Sequence, residues 1–80
     1  NKAAMQKDGK TALQEWLQGR KMALPTYKVE RILGEAHQQT FEVSCAVPLL
    51  NLVSLGSGTS RRIAEQAAAD LMLAQLLATH

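Results

Sequence analysis

The sequence predicts an α+β fold in which a helix, three antiparallel strands and a second helix follow one another. Three observations lead to this prediction. Apolar residues recur at helical spacing towards both ends of the chain, apolar and polar residues alternate in the middle, and Gly or Pro separates the segments. Because a three-stranded sheet with one apolar face is unstable alone in water, both helices are expected to pack on that face.

Length and composition point to one small domain. The chain has 80 residues and a formal net charge of +2, which indicates nucleic acid only weakly. The single cysteine, Cys45, excludes an internal disulfide and a zinc cluster, and it favours a reducing, cytoplasmic setting. No apolar stretch is long enough to span a membrane, and no signal-peptide pattern opens the chain. Most lysines are scattered and are assigned only a diffuse electrostatic contribution: Lys2, Lys7, Lys10, Lys21 and Lys28.

The domain is expected to span residues 8–78. Residues 1–7 show no hydrophobic period and are interpreted as a linker remnant or an expression scar. The first helix has two candidate starts: Asp8 as the N-cap, or Thr11 as the N-cap with Gln14 completing a capping box.

Spacing within this helix separates an apolar face from a polar face. Leu13, Trp16 and Leu17 form one predicted buried stripe, whereas Gln14, Glu15 and Gln18 lie on the polar side. Gly19 and Pro25 then end the helix.

Three strands are predicted in the middle of the chain. The first spans residues 27–33, and residues 34–37 form a hairpin loop of several residues. The second spans residues 40–47 and alternates clearly, with Phe41, Val43, Cys45 and Val47 on its apolar face. The apolar turn at residues 49–51 has no explanation in the sequence. Residues 52–55 form a short third strand.

The segment Gly56-Ser57-Gly58-Thr59-Ser60-Arg61-Arg62 is interpreted as a tight glycine turn leading into the last helix, which starts at Ser60 or Thr59. Arg61 and Arg62 then lie in the first turn, where the macrodipole disfavours each cation by roughly 0.3–1 kcal/mol and no capping box compensates. An external phosphate would compensate both. The alternative is a solvated helix start whose arginines face water.

The last helix is rich in small and apolar residues. Those predicted to face the sheet are Ala64, Ala67, Ala68, Leu71, Met72 and Leu76. Leu73 and Leu77 widen the apolar surface, so a neighbouring chain could cover it, and self-association is a further expectation.

Several segments resemble one known family in their order and spacing. They are Lys10 to Gln18, Leu24-Pro25-Thr26-Tyr27, Gly34-Glu35-Ala36-His37, Phe41-Glu42-Val43, and Gly56 to Arg62 followed by Ala64 to Ala68. Together they resemble the double-stranded-RNA-binding domain, specifically the C-terminal domain of bacterial ribonuclease III. The resemblance covers about residues 8–78.

This resemblance implies three RNA contacts on an A-form duplex. Thr11, Gln14, Glu15 and Gln18 would enter one minor groove. His37 would enter the next minor groove, and Ser60, Arg61 and Arg62 would take phosphates across the major groove between them. Two residues depart from the wider family pattern: Glu65 stands where a basic residue is common, and Gly9 where a proline is common. Glu65 is expected to weaken the phosphate site electrostatically, although it also relieves the unfavourable interaction of the two arginines with the macrodipole, and Gly9 is expected to loosen the helix start.

The resemblance also implies a role in a larger enzyme. The fragment would hold duplex RNA, as in rRNA processing, for a homodimeric, Mg²⁺-dependent endoribonuclease whose catalytic domain lies elsewhere. Its own acidic residues are dispersed, so we expect no catalysis, metal or cofactor in the fragment. The main alternative is a protein-interaction or dimerisation module of the same fold that binds RNA weakly. A nucleotide site at residues 56–62 is disfavoured, because the P-loop lysine is missing.

Overall fold

The computed structural model describes residues 8–79, with side chains through residue 78. Its elements are α1 (Gly9–Gly19), β1 (Thr26–Glu35), β2 (Gln38–Val47), a 3-10 turn (Pro48–Leu50), β3 (Leu52–Gly58) and α2 (Arg61–Thr79). The strands form one antiparallel sheet in the order β1-β2-β3. The predicted fold class and element order are therefore confirmed. The linker predicted at residues 1–7 lies outside the described residues.

Helix α1 begins directly after Asp8, so the first candidate start is correct and Thr11 lies inside the helix. The Asp8 side chain makes no capping hydrogen bond. A group from α2 takes that role, because the backbone N–H of Lys10 donates to Gln66 Oε1 at 3.0 Å. Leu13 and Leu17 are fully buried, as predicted.

The β1–β2 hairpin is tighter than the sequence predicts. Pairing continues to Glu35 and Gln38, which leaves a two-residue turn in place of the predicted loop at residues 34–37. Gly34, which pairs with Gln39 beside this turn, has a φ of 89°, which side-chain-bearing residues adopt rarely. A register shift between Val29 and Arg31 interrupts the alternation of β1, and Leu33 beyond it is exposed.

The glycines at the end of β3 do not form the predicted tight turn. Gly56 and Gly58 lie within the strand, paired with Val43 and Phe41. Their role is to let α2 approach closely. A Cβ added to Gly56 would lie 2.7 Å from the carbonyl oxygen of Ala64, and one added to Gly58 would lie 2.8 Å from the Ala64 nitrogen. Any side chain at either position would collide with the backbone of α2.

The core lies between the sheet and the two helices. Its fully buried large side chains are Leu13, Leu17, Met72, Leu76, Val43, Val47 and Cys45. The predicted inward face of α2 is confirmed at Ala64, Ala68, Met72 and Leu76, whereas Ala67 is half-buried and Leu71 is half exposed. Ala69 and Glu65, which the prediction left out, are buried. Leu73 packs against this core, so of the two leucines predicted to widen the apolar surface only Leu77 is exposed.

The apolar turn after β2 also has a structural explanation. Pro48–Leu50 form one 3-10 turn, and Leu50 packs against the core while Leu49 stays exposed. Asn51 then reverses the chain with a φ of 57°.

Candidate nucleic-acid interface

The start of α2 is capped by its own sequence. Ser60 Oγ accepts a hydrogen bond from the backbone N–H of Ile63 at 3.1 Å, which confirms the predicted cap. The hydroxyl oxygen of Ser60 is therefore already engaged, and Arg61 and Arg62 follow it on the exposed surface. The unused backbone N–H groups of this first turn point away from the helix, in the direction a bound anion would take.

Glu65 changes the charge balance of this helix start. Its Oε2 accepts from Arg61 Nε at 2.9 Å, and its Oε1 accepts from Lys10 Nζ at 2.7 Å. The Lys10 hydrogen bond, and then that of Arg61, lower the pKa of Glu65 despite its burial. Glu65 thus compensates Arg61 within the molecule, as its place in the first two turns of α2 predicts. Arg62 forms no ion pair with any residue in 8–78.

Helix α1 presents its predicted polar face to solvent. The exposed residues on it are Thr11, Gln14, Glu15 and Gln18. Lys10 lies at the beginning of this face with Nζ 5.0 Å from the centre of the Tyr27 ring, and a small cavity of about 90 Å³ separates Lys10 and Gln14 from the chain that enters β1. Gln18 lies about 12 Å further along the helix axis.

The His37 turn and the start of α2 line one groove. His37 is exposed, and an open groove of about 460 Å³ is lined by His37, Gln38, Gln39, Thr40 and Thr59. Thr59 connects β3 to α2, and the pairing of Phe41 with Gly58 brings these segments to the same end of the sheet. The start of α2 therefore contacts α1 through Glu65 and also borders the groove of the His37 turn.

Two further groups that can ionise point their polar atoms into the domain. Burial raises the pKa of Tyr27, whose hydroxyl oxygen lies inside the domain, and burial likewise raises the pKa of the Cys45 thiol. Within residues 8–79, no three His, Cys, Asp or Glu side chains lie close enough to hold a metal ion. None of the helices in this part of the chain is long and apolar enough to cross a membrane.

The protein is a small α-β-β-β-α domain. The basic start of its last helix contacts α1 through Glu65 and borders the groove of the His37 turn. Residues 10–76 match the family model described as "Double-stranded RNA binding motif", and the chain belongs to that family. The family predicted from the sequence is thereby confirmed.

Its relatives include bacterial proteins named Ribonuclease 3. That of Delftia acidovorans is 60% identical over 77 residues, covering 96% of this chain and 34% of the relative. That of Aromatoleum aromaticum is 64% identical over 70 residues, covering 88% of this chain and 31% of the relative. This chain thus spans about a third of the length of these relatives.

The fold is also similar to a solved plant structure, reported as that of Arabidopsis HYL1 with its implications for miRNA processing. The TM-score is 0.75 at 27% identity, and the match covers 89% of this chain and 99% of the other.

Sequence reasoning missed the contacts that connect the two helices. The sequence predicts only a diffuse electrostatic contribution for Lys10, whereas in the structure Lys10 forms a short ion pair with Glu65. The spacing of Arg61 and Glu65, four residues apart in a helix, was a readable signal for their pairing. Nothing local could reveal a partner 55 residues away.

Proposed function

We propose that this domain binds A-form double-stranded RNA through backbone and ribose contacts, recognising shape more than sequence. Domains of this class span ~16 base pairs and contact two minor grooves and the major groove between them. The observation that supports the proposal is the arrangement around α2. Its basic start lies next to the polar face of α1 and borders the groove of the His37 turn.

Each segment offers chemistry suited to its expected contact. The hydroxyl of Thr11, the amides of Gln14 and Gln18 and the carboxylate of Glu15 can exchange hydrogen bonds with ribose 2′-hydroxyls in one minor groove. His37, exposed on the two-residue turn between β1 and β2, can enter the next minor groove.

The basic start of α2 is the proposed phosphate site. Of the two arginines at this helix start, Arg62 has no ion-pair partner among residues 8–78, so no ion pair has to break before its guanidinium meets a phosphate. Arg61 uses Nε for Glu65, but its side chain is 61% exposed and its terminal nitrogens remain for an anion. The Ser60 hydroxyl, which already accepts from Ile63, can still donate its proton.

For the longer protein we propose a homodimeric, cytoplasmic endoribonuclease that cleaves duplex RNA with Mg²⁺. The support is the name Ribonuclease 3 carried by its relatives, of which this chain matches about a third. The present fragment would hold RNA without cleaving it, because the family model over residues 10–76 is a binding motif. Cleavage of a duplex by the purified 80-residue chain with Mg²⁺ would contradict this assignment.

A competition assay tests the binding proposal. A labelled RNA duplex of about 20 base pairs, slightly longer than the expected footprint, is bound at low salt and challenged with unlabelled duplexes. Unrelated RNA duplexes should compete equally, and DNA duplexes of the same sequences should compete poorly, because they lack 2′-hydroxyls and A-form grooves. Equal competition by DNA, or no binding to the RNA duplex, would overturn the proposal.

A matched pair of variants locates the binding surface. Arg62→Ala should weaken binding, whereas Lys28→Ala, which also removes one exposed cation, should not. Tyr27 and Val29 of β1 are half-buried, so strand alternation puts Lys28 on the sheet face opposite the helices. Equal effects of the two variants would indicate a diffuse electrostatic interaction without a defined site.

A further inference from the structure

The beginning of α1 is fastened to the first two turns of α2 by contacts of three kinds. Gly9 is buried, and a Cβ there would lie 2.8 Å from the carbonyl oxygen of Gln66. The Lys10 backbone donates to the Gln66 side chain at 3.0 Å, and the Lys10 ammonium donates to Glu65 at 2.7 Å. Gly9 therefore permits close packing of the two helices, and the looser helix start expected from its sequence is not what the contacts indicate.

Glu65 is central to this junction because both of its carboxylate oxygens are used. One oxygen accepts from α1 and the other from the first residue of α2. Its side chain is only 12% exposed, whereas those of Lys10 and Arg61 are 38% and 61% exposed. The carboxylate is thus shielded from water, while both cations remain open to a ligand.

Glu65 connects two segments that are expected to meet different grooves. Lys10 lies at the beginning of the polar face of α1, and Arg61 lies at the phosphate-binding start of α2. Without the carboxylate, the two cations would face each other unpaired and repel. A duplex has a fixed distance between its minor groove and its phosphates. If these two segments already have a fixed separation, less conformational entropy is lost when the domain binds.

From these contacts we propose that Glu65 is a positioning residue for RNA, holding Lys10 and Arg61 so that the faces of α1 and α2 match an A-form duplex together. This inference rests on the proposed function. It is opposed to the simple electrostatic expectation, in which an acidic residue beside the phosphate site weakens binding.

The two hypotheses predict opposite changes in the affinity of the Glu65→Gln variant for duplex RNA. If Glu65 acts only through its negative charge, the variant binds duplex RNA more tightly. If it positions the helices, the variant binds about three- to tenfold more weakly although the domain has lost a negative charge. Its preference for RNA over DNA duplexes should also fall, because that preference depends on the match to A-form spacing.

Glu42→Gln is the matched control. Glu42 is likewise a largely shielded carboxylate, 19% exposed, and it is bound to an arginine, Arg31, at 2.8 Å. It lies on β2, away from the α1–α2 junction, so its loss should leave affinity and selectivity close to those of the unmodified domain. Circular dichroism at the assay temperature verifies that each variant is folded.

Glu65→Asp supplies a second test, which also serves if Glu65→Gln fails to fold. It keeps the charge but shortens the side chain by one methylene, so the positioning view predicts weaker binding and the electrostatic view predicts no loss. Binding as tight as that of the unmodified domain by either folded variant would overturn the inference. Failure of the unmodified domain itself to bind duplex RNA would instead overturn the proposed function.

Discussion

Gly56→Ala tests how closely α2 packs on the sheet. Gly56 is buried in β3, and a Cβ there would lie 2.7 Å from both the carbonyl oxygen of Ala64 and the carbonyl carbon of Ala67. These atoms belong to the helix backbone, so no side chain can rotate away and the whole helix must shift. We therefore expect a large loss of stability from the addition of one methyl group.

The expected magnitude follows from this geometry. Overpacking a core usually costs about 1–3 kcal/mol, and a collision with a helix backbone belongs at the upper end of that range. A domain of this size has a total stability of about 4–12 kcal/mol, so about 3 kcal/mol is a large share. With a shift of roughly 4–8 °C per kcal/mol, Tm should fall by about 12–24 °C.

Gly19→Ala is the matched control for this prediction. Gly19 ends α1, and a Cβ there would meet nothing within 4 Å. The same substitution should be neutral there or stabilise the domain by up to about 1 kcal/mol, because Ala restricts the unfolded chain. Thermal and urea unfolding followed by circular dichroism measure both variants. A fall in Tm of less than about 4 °C for Gly56→Ala would refute the close-approach argument.

Three further predictions concern single side chains of the candidate interface. Arg62→Ala should flatten the dependence of log K on log salt by roughly one unit without loss of stability, whereas unchanged affinity and slope would favour the solvated helix start. His37→Ala should weaken RNA binding with little change in salt slope, because a minor-groove contact releases no phosphate counterion; RNA titrations at several salt concentrations separate the two cases. Glu65 has a lowered pKa when folded, so its stabilising contribution is present above its ordinary pKa and is lost as pH falls through the lowered value. The stability difference between the unmodified domain and Glu65→Gln should therefore be largest above about pH 5 and shrink towards pH 3, and a difference independent of pH would contradict this.

The sequence alone determined the features that depend on near neighbours. The alternation of β2 identified its buried face, the spacing of Leu13 and Leu17 identified that of α1, and Ser60 marked the start of α2. Each of these features depends on periodicity or capping between residues that are close in the sequence. The candidate RNA-contacting residues were also named from local motifs and remain predictions.

Tertiary structure decided what depends on residues distant in the chain. The local sequence at Gly56 and Gly58 predicts a turn, but in the structure both glycines pair with β2 as strand residues. The backbone of α2 lies against them, so only glycine fits at these positions. The sequence predicts Lys10 as one of several scattered surface cations, whereas the packing of α2 beside α1 places Glu65 Oε1 2.7 Å from Lys10 Nζ. The physical reason is the same in both cases. Propensity and periodicity act over a few residues, whereas close packing and ion pairing between elements are fixed only when the sheet and both helices share one core.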